Sequence, residues 1–469
     1  MQIESRLTPA DLKPGLNQLF KLAASKTVAL DRSWDASKGT PVFTVEGKYT
    51  ARGWTEWTQG FQYGCAILGF DVTGDQKLLK LGRQRTVDRM AAHVTHIGVH
   101  DHGFNNLSTY GNLRRLMREG KIKYNEWEMA FYEMAIKASG AVQAARWSGT
   151  APVKGSIHTA NSDALGYVYS FNGPHSLFVD TMRTIRVMSV AWQLGHVLMH
   201  ENDKAANLLK RMVLHGLTTS QYIVFHGDSG HTYDVAGRTS HEAVFNRNDG
   251  RFRCKSTQQG YSPFSTWTRG LAWAMLGYAE ELEFIKTIPA GDFKQAVGLS
   301  KADVLKVFER CAKETCDHYI NDVTAADGVP YWDDGAPGLA KLGDWQNRAS
   351  DPYNEYEPVD SSAAAIAAQG LIRLGQYLGG KAGKKYFQAG LTVARTLLGE
   401  PYLSTSSKHQ GLLLHSVYHR PNNWDHIARG QKVPNGESSM WGDYHLLELG
   451  VLIGRLASRG KYPVFFDAR

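Results

Sequence analysis

The residues able to do chemistry in this sequence lie in short clusters and share no single signature. WTEWTQGF (54–61), HDHGF (100–104), FVDTMR (178–183), STWTRG (265–270), DSSAAA (360–365) and ESSMWGDY (437–444) bring aromatic, charged and hydroxyl side chains together. Aromatics make up 11% of the chain, with 12 Trp, 21 Tyr and 18 Phe. Many of the Trp stand beside Gly, Asp, Arg or Gln, as in YWDDG (331–335). Aromatic faces among charged and amide groups suit sugar rings, which offer apolar C–H faces and polar rims. Other chemistries lack their residues. There is no GxSxG or Ser-His-Asp arrangement for acyl transfer. His415 and His419 are four apart but have no HExxH partner or third ligand, and Cys311 and Cys316 have no second CxxC pair. No metal site and no cofactor are expected. Ser361 and Ser362 read as helix caps.

Helical periodicity dominates the elements that must carry these clusters. Candidate helices run over 9–26, 54–70, 75–93, 105–118, 124–146, 177–199, 202–220, 265–285, 300–319, 360–379, 382–399 and 438–457. In the eighth, Trp267, Leu271, Met275 and Tyr278 form one stripe. Strand signals are few: a hairpin over 40–49 and a strand over 222–227. The loops 147–176, 222–264 and 320–359 are long and aromatic, as functional loops are. Twelve helices with little sheet predict an all-α fold, an (α/α)₆ barrel in a single domain over 1–469. The six clusters fall near the N-terminal ends of alternate helices. If those helices are the inner ring, the clusters converge on one mouth, where helix N-termini favour a bound carboxylate.

Composition narrows the class. The chain has 469 residues, 42% of them hydrophobic and 21% charged, as in globular proteins. No apolar run reaches the ~18 residues of a membrane span. The start, MQIESRLTPADLK, lacks a signal-peptide pattern. A signal removed upstream is compatible with the rest, so a soluble protein of cytoplasm or periplasm is expected. Lys and Arg number 53 against 45 Asp and Glu, a net +8 that suits an acidic partner. The charge is spread without a basic block, which argues against nucleic acid.

These clusters together resemble glycoside hydrolase family 88, the unsaturated glucuronyl hydrolases, which are related to the unsaturated rhamnogalacturonyl hydrolases. The resembling segments are WTQGFQYG (57–64), HDHGF (100–104), FVDTMRT (178–184), QGYSPFSTWTRGLAWAMLGYAEE (259–281), DSSAAAIAAQGLIRL (360–374), GLLLHSVYHRP (411–421) and SSMWGDYHLLE (438–448), in the family's order. The resemblance implies the (α/α)₆ fold and action on acidic oligosaccharides released by polysaccharide lyases. Their non-reducing uronate carries a C4=C5 bond. An acid protonates C4, water adds at C5, and the hemiketal opens to release the sugar. The carboxylate-spacing rule for ordinary glycosidases does not apply to this chemistry.

By the same resemblance, Asp180 is the catalytic acid/base and Asp101 the second essential aspartate. His100 contacts substrate, Trp57 and Phe61 form an aromatic wall, and Gln259, Trp267, Arg269 and Trp273 form the pocket side. Arg269 would face the uronate carboxylate. Ser439, Trp441 and Asp443 would border a distal subsite. Three departures stand out. Pro263-Phe264 replaces a common acidic pair. HTYD (231–234) puts Asp234 where members often have a substrate-contacting His, with His241 as an alternative imidazole. Phe171 stands where Trp is frequent. Two other readings stay open: another (α/α)₆ sugar enzyme, such as an ordinary glycosidase or epimerase, and a non-catalytic sugar-binding protein. The sequence leaves the oligomeric state open.

Overall fold

The computed structural model describes residues 1–53, 56–152 and 165–467. Twelve principal helices stand out among the described residues. They are α1 (Lys13–Ser33), α2 (Gln59–Thr73), α3 (Gln76–Arg89), α4 (His102–Asn106, continued through a π turn at Leu107–Gly111 into Asn112–Arg118), α5 (Glu126–Ala145), α6 (Thr181–Thr184 and Arg186–Gln193), α7 (Leu208–Tyr222), α8 (Thr268–Thr287), α9 (Lys301–His318), α10 (Ser361–Leu378), α11 (Gly380–Leu397) and α12 (Met440–Ala457). The even-numbered helices pack in a closed ring, each on the next and α12 back on α2. The odd-numbered ones form the outer layer, so the fold is an (α/α)₆ barrel.

The two layers differ in sequence for a physical reason. The outer α9 buries one face, with Val304, Phe308, Cys311, Ala312 and Thr315, and leaves the other wet. The inner α8 is buried from Thr268 through Glu281 on every side, as a helix enclosed on all faces must be. Small residues let the inner helices touch. A Cβ on Gly103 would stand 1.9 Å from the Thr184 carbonyl oxygen, and one on Gly277 would stand 2.6 Å from the Met182 carbonyl oxygen. Glycine at 103 therefore sets how closely α4 approaches α6.

The main differences from the sequence reading lie near the mouth. The hairpin is present, as β1 (Phe43–Val45) and β2 (Lys48–Thr50). The predicted sixth helix begins instead with an extended segment. Its residues Ser176–Phe178 join Glu242–Phe245 and Phe252–Ser256 in a three-stranded antiparallel sheet, β3 to β5 in chain order. Pairing with a distant strand overrides local helical period here. The segment 222–227 is the end of α7 and an isolated bridge from Val224 to Thr239, not a strand. The fourth helix starts earlier than expected, at His102. The predicted start of the second helix at 54–55, and part of the loop 147–176, lie outside the described residues. Among the described residues, no helix is long and apolar enough to cross a membrane.

Candidate active site

The inner-helix N-termini surround a cavity of about 450 Å³. Asp101 and Asp180 stand at the N-caps of α4 and α6, and neither side chain caps its helix. Both carboxylates line the cavity. Between them sits His100, whose Nε2 lies 3.2 Å from Asp180 Oδ1 and 4.0 Å from Asp101 Oδ1. Backbone anchoring fixes this imidazole: its carbonyl accepts hydrogen bonds from Thr184 Oγ1 (2.7 Å) and Gln143 Nε2 (2.8 Å). Phe178 meets the His100 ring edge-on at 5.7 Å, and Phe171 stacks over it at 6.1 Å.

The three groups divide their protons by environment. Burial pushes the Asp101 carboxyl up, with the Asp180 charge adding to the rise and His100 opposing it. Burial would raise Asp180 too, but the His100 charge and hydrogen bond, then His241 and the Thr181 amide, hold it below the ordinary carboxylate value. Burial would lower His100, yet the two aspartates outweigh it and raise the imidazole above 6.5. The directions favour a proton on His100 and on Asp101 and ionisation of Asp180. Such a cluster titrates as a unit.

His241 joins the cluster from the sheet. Its carbonyl accepts the Val179 amide (3.0 Å), which places it beside Asp180. Its ring packs on Phe178 at 4.3 Å and on Trp267 at 5.0 Å. Nδ1 accepts the Gln258 amide (2.9 Å), so the neutral ring carries its proton on Nε2. That nitrogen is buried without a hydrogen-bond partner among the described residues. Burial lowers the imidazole to about 3, so it stays neutral. Asp234 does not reach this site. It accepts the amides of Gly227 (3.0 Å) and Ser229 (2.7 Å) in a turn of its own loop. The expectation for Asp234 is thus corrected; of the two residues, His241 is the one beside Asp180.

The remaining expected residues separate into lining and support. Trp57, Phe171, Gln259, Trp267, Arg269 and Trp273 line the cavity. Trp267 and Trp273 both do so although six residues apart, since the first stands at the N-cap position of α8 in extended backbone and the second lies within the helix. Phe61 is fully buried behind the wall, against Trp57, Phe104 and Tyr444. Its expected contact role is corrected to a supporting one. Trp441 likewise backs Trp57, stacked at 5.0 Å. Ser439 caps α12, and Asp443 accepts the Leu412 and Leu413 amides, so none of these three borders a subsite.

Arg269 is held from several sides. It donates to the carbonyls of Val417 and Tyr418, donates to Gln259 Oε1 (2.8 Å), and pairs with Asp360 at 3.5 Å. Its guanidinium lies between the Trp267 and Trp441 rings, at 4.7 and 4.8 Å. It is therefore a fixed cation in the cavity wall that also orients Gln259.

Phe104, Gln258, Tyr418, His419, Asn422 and Trp424 line the cavity without having been singled out as site residues. Four of them belong to one loop, held by Asp425, which accepts the Tyr418 (2.5 Å) and His419 (3.1 Å) amides. Trp424 has polar neighbours, Asn423 and Asp425, the same sign that marked the other Trp clusters. His415 has φ +67° and is not on a helix, so the four-residue spacing to His419 is not a helical pair.

Comparison with known proteins agrees with this geometry. No family model matches the chain. An unsaturated glucuronyl hydrolase of Formosa agariphila is 25% identical over 396 residues, covering 84% of this chain and 78% of that protein. An unsaturated chondroitin disaccharide hydrolase of Streptococcus pyogenes serotype M1 is 24% identical over 435 residues, covering 91% and 88%. Among solved structures, an unsaturated glucuronyl hydrolase specific for heparin superposes with TM-score 0.68 at 18% identity, over 95% of this chain and 98% of that one. The unsaturated glucuronyl hydrolase of Bacillus sp. GL1 gives 0.66 at 20% identity, over 96% and 99%. The resemblance read from the motifs thus extends over nearly the whole chain, in sequence and in fold.

Proposed function

We propose that this chain is a glycoside hydrolase of the unsaturated glucuronyl hydrolase type. It would hydrate the C4=C5 bond of a non-reducing-end unsaturated uronate and so release it from an acidic oligosaccharide. The observation that carries this reading is the cluster Asp101–His100–Asp180 at the mouth of an aromatic-walled cavity. Relatives with this name cover most of the chain.

The geometry supports a division of roles. His100 and Asp180 hold one proton between them across 3.2 Å. Moved to Asp180, that proton is available to C4, and the carboxylate left behind can then accept one from the water that adds at C5. In this reading Asp101 holds the substrate and water around these atoms, with His241 beside Asp180 as its neutral neighbour. The adduct is a hemiketal at C5, and its collapse frees the leaving sugar with no metal or cofactor required. Arg269 supplies a fixed positive charge for the uronate carboxylate, and Trp57, Trp267 and Trp273 supply apolar faces.

The test uses the ultraviolet absorbance of the conjugated C=C–carboxylate. Lyase-generated disaccharides from several polysaccharides are mixed with the native protein and with Asp180→Asn. Loss of absorbance with the native protein alone supports the reading. No loss on any substrate, with the protein folded, overturns it.

A further inference from the structure

A short stretch of chain from the cavity lining lies a second aromatic feature that the catalytic cluster does not use. The loop from Gln259 to Trp267 leaves the cavity wall and returns to it. Between those ends Tyr261 and Phe264 are exposed. Phe264 is three residues from Trp267, a reach of at most ~11 Å along an extended chain. Phe264 is 45% exposed and packs on Tyr233 at 4.8 Å between ring centroids. Tyr233 is 39% exposed, with His231 stacked on it at 5.1 Å and 14°. The buried Phe225 supports Tyr233 edge-on at 6.2 Å.

Both loops that present these rings are braced. Asp234 gathers the Gly227 and Ser229 amides, and Arg238 Nη1 donates to the Tyr233 carbonyl (3.1 Å). On the other side, Asp333 accepts the Tyr261 amide (2.8 Å) and Asp334 accepts the Thr266 amide (2.6 Å). Exposed aromatic rings held in place by their own loops form a preorganised surface, which loses little entropy on binding.

We infer that His231, Tyr233 and Phe264 form a stacking platform for a sugar of the leaving-group chain, outside the cavity that holds the uronate. This rests on the hydrolase reading, since it takes the uronate as the buried end. The ligand class is a pyranose with an open C–H face, two or more residues beyond the bond that is cut. The platform makes the protein prefer longer unsaturated oligosaccharides to disaccharides.

The test compares an unsaturated disaccharide and tetrasaccharide from the same polysaccharide, with the native protein, Phe264→Ala and Tyr233→Ala. The tetrasaccharide-to-disaccharide ratio of kcat/KM is expected to fall roughly three- to tenfold in each variant, the span of a lost aromatic contact. An unmoved ratio overturns the platform and leaves the hydrolase standing. Calorimetry of the tetrasaccharide with Asp180→Asn, alone and combined with Phe264→Ala, separates the two ideas. A native protein that turns over nothing, with weaker tetrasaccharide binding once Phe264 is removed, keeps the platform and removes the hydrolase. Neither turnover nor binding overturns both.

Discussion

The inner helices α4 and α6 begin with acids just as α10 does, yet the acids are used in opposite ways. Asp360 caps α10, taking the Ser362 amide at 3.0 Å, and its other oxygen faces Arg269. At α12, Ser439 caps by accepting the Gly442 amide. Asp101 and Asp180 make no capping bond, and both carboxylates line the cavity. The same kind of residue at the same position in an inner helix is thus structural on one side of the barrel and chemically available on the other. Capping propensity cannot separate the two cases. What separates them is whether the carboxylate turns back onto its own helix end or lines the cavity.

The strongest way to break this contrast is Asp180→Asn. Turnover should fall by roughly 10²–10⁴, the range of a lost general acid/base, while the melting temperature stays near that of the native protein because no cap is lost. Loss of stability equal to loss of activity would make Asp180 a structural residue after all. Asp360→Ala should do the reverse. It strands Arg269 and removes a cap, costing about 3–5 kcal/mol in urea unfolding. A cost below about 1 kcal/mol would show that the pair holds nothing. Gly103→Ala tests the spacing that joins the two acids. Its Cβ would collide with the Thr184 carbonyl, costing about 1–3 kcal/mol and lowering kcat without a matching change at the α10 end. Circular dichroism melts and steady-state kinetics check both.

Two smaller tests use pH. In the native protein the proton shared by His100 and Asp180 is lost as pH rises past the raised imidazole value, above 6.5. His100→Gln leaves Asp180 alone to hold it, so the alkaline limb of the kcat profile should move to lower pH. The smallest effect lies along α2, far from this chemistry. There burial would raise Asp71, but Arg115, Lys121 and Arg455 outweigh it and lower the carboxyl to about 2 from 3.8. Its contribution of about 2 kcal/mol is present above pH 4 and is lost as pH falls toward 2. Acid unfolding of Asp71→Asn should show a shallower loss across that window.

Much of the fold was legible because its signal is repeated twelve times. Helical period sums over long windows, and Gly379 and the caps Asp360 and Ser439 mark ends in plain sight. The strand at 176–178 was not legible, since its partners lie some seventy residues on and its apolar run fits either period. At the site, Asp101, His100, Asp180 and the Trp267–Trp273 stretch were read through the resemblance their motifs carry, because a helix-start position by itself fits a cap equally well. Asp234 misled because HTYD matches a substrate-contacting segment in position while its own loop folds back on the carboxylate. Tyr418, Asn422 and Trp424 lie in a loop held by Asp425 through backbone amides, which leaves no period to detect.

The closed ring has one more consequence, for the order of assembly. Trp57 precedes α2 and Trp441 lies in α12, nearly the full chain apart, yet the two stack at 5.0 Å. One wall of the cavity is complete only when the last inner helix docks on the first. Contacts of such long sequence separation form late, because their loop entropy must be overcome first. On the proposed function, substrate affinity is coupled to the docking of α12, since a ligand on Trp57 would stabilise the docked state by mass action. Catalytic competence then becomes a late-arriving reporter of folding, and a bound oligosaccharide acts as the clasp that keeps the circle shut.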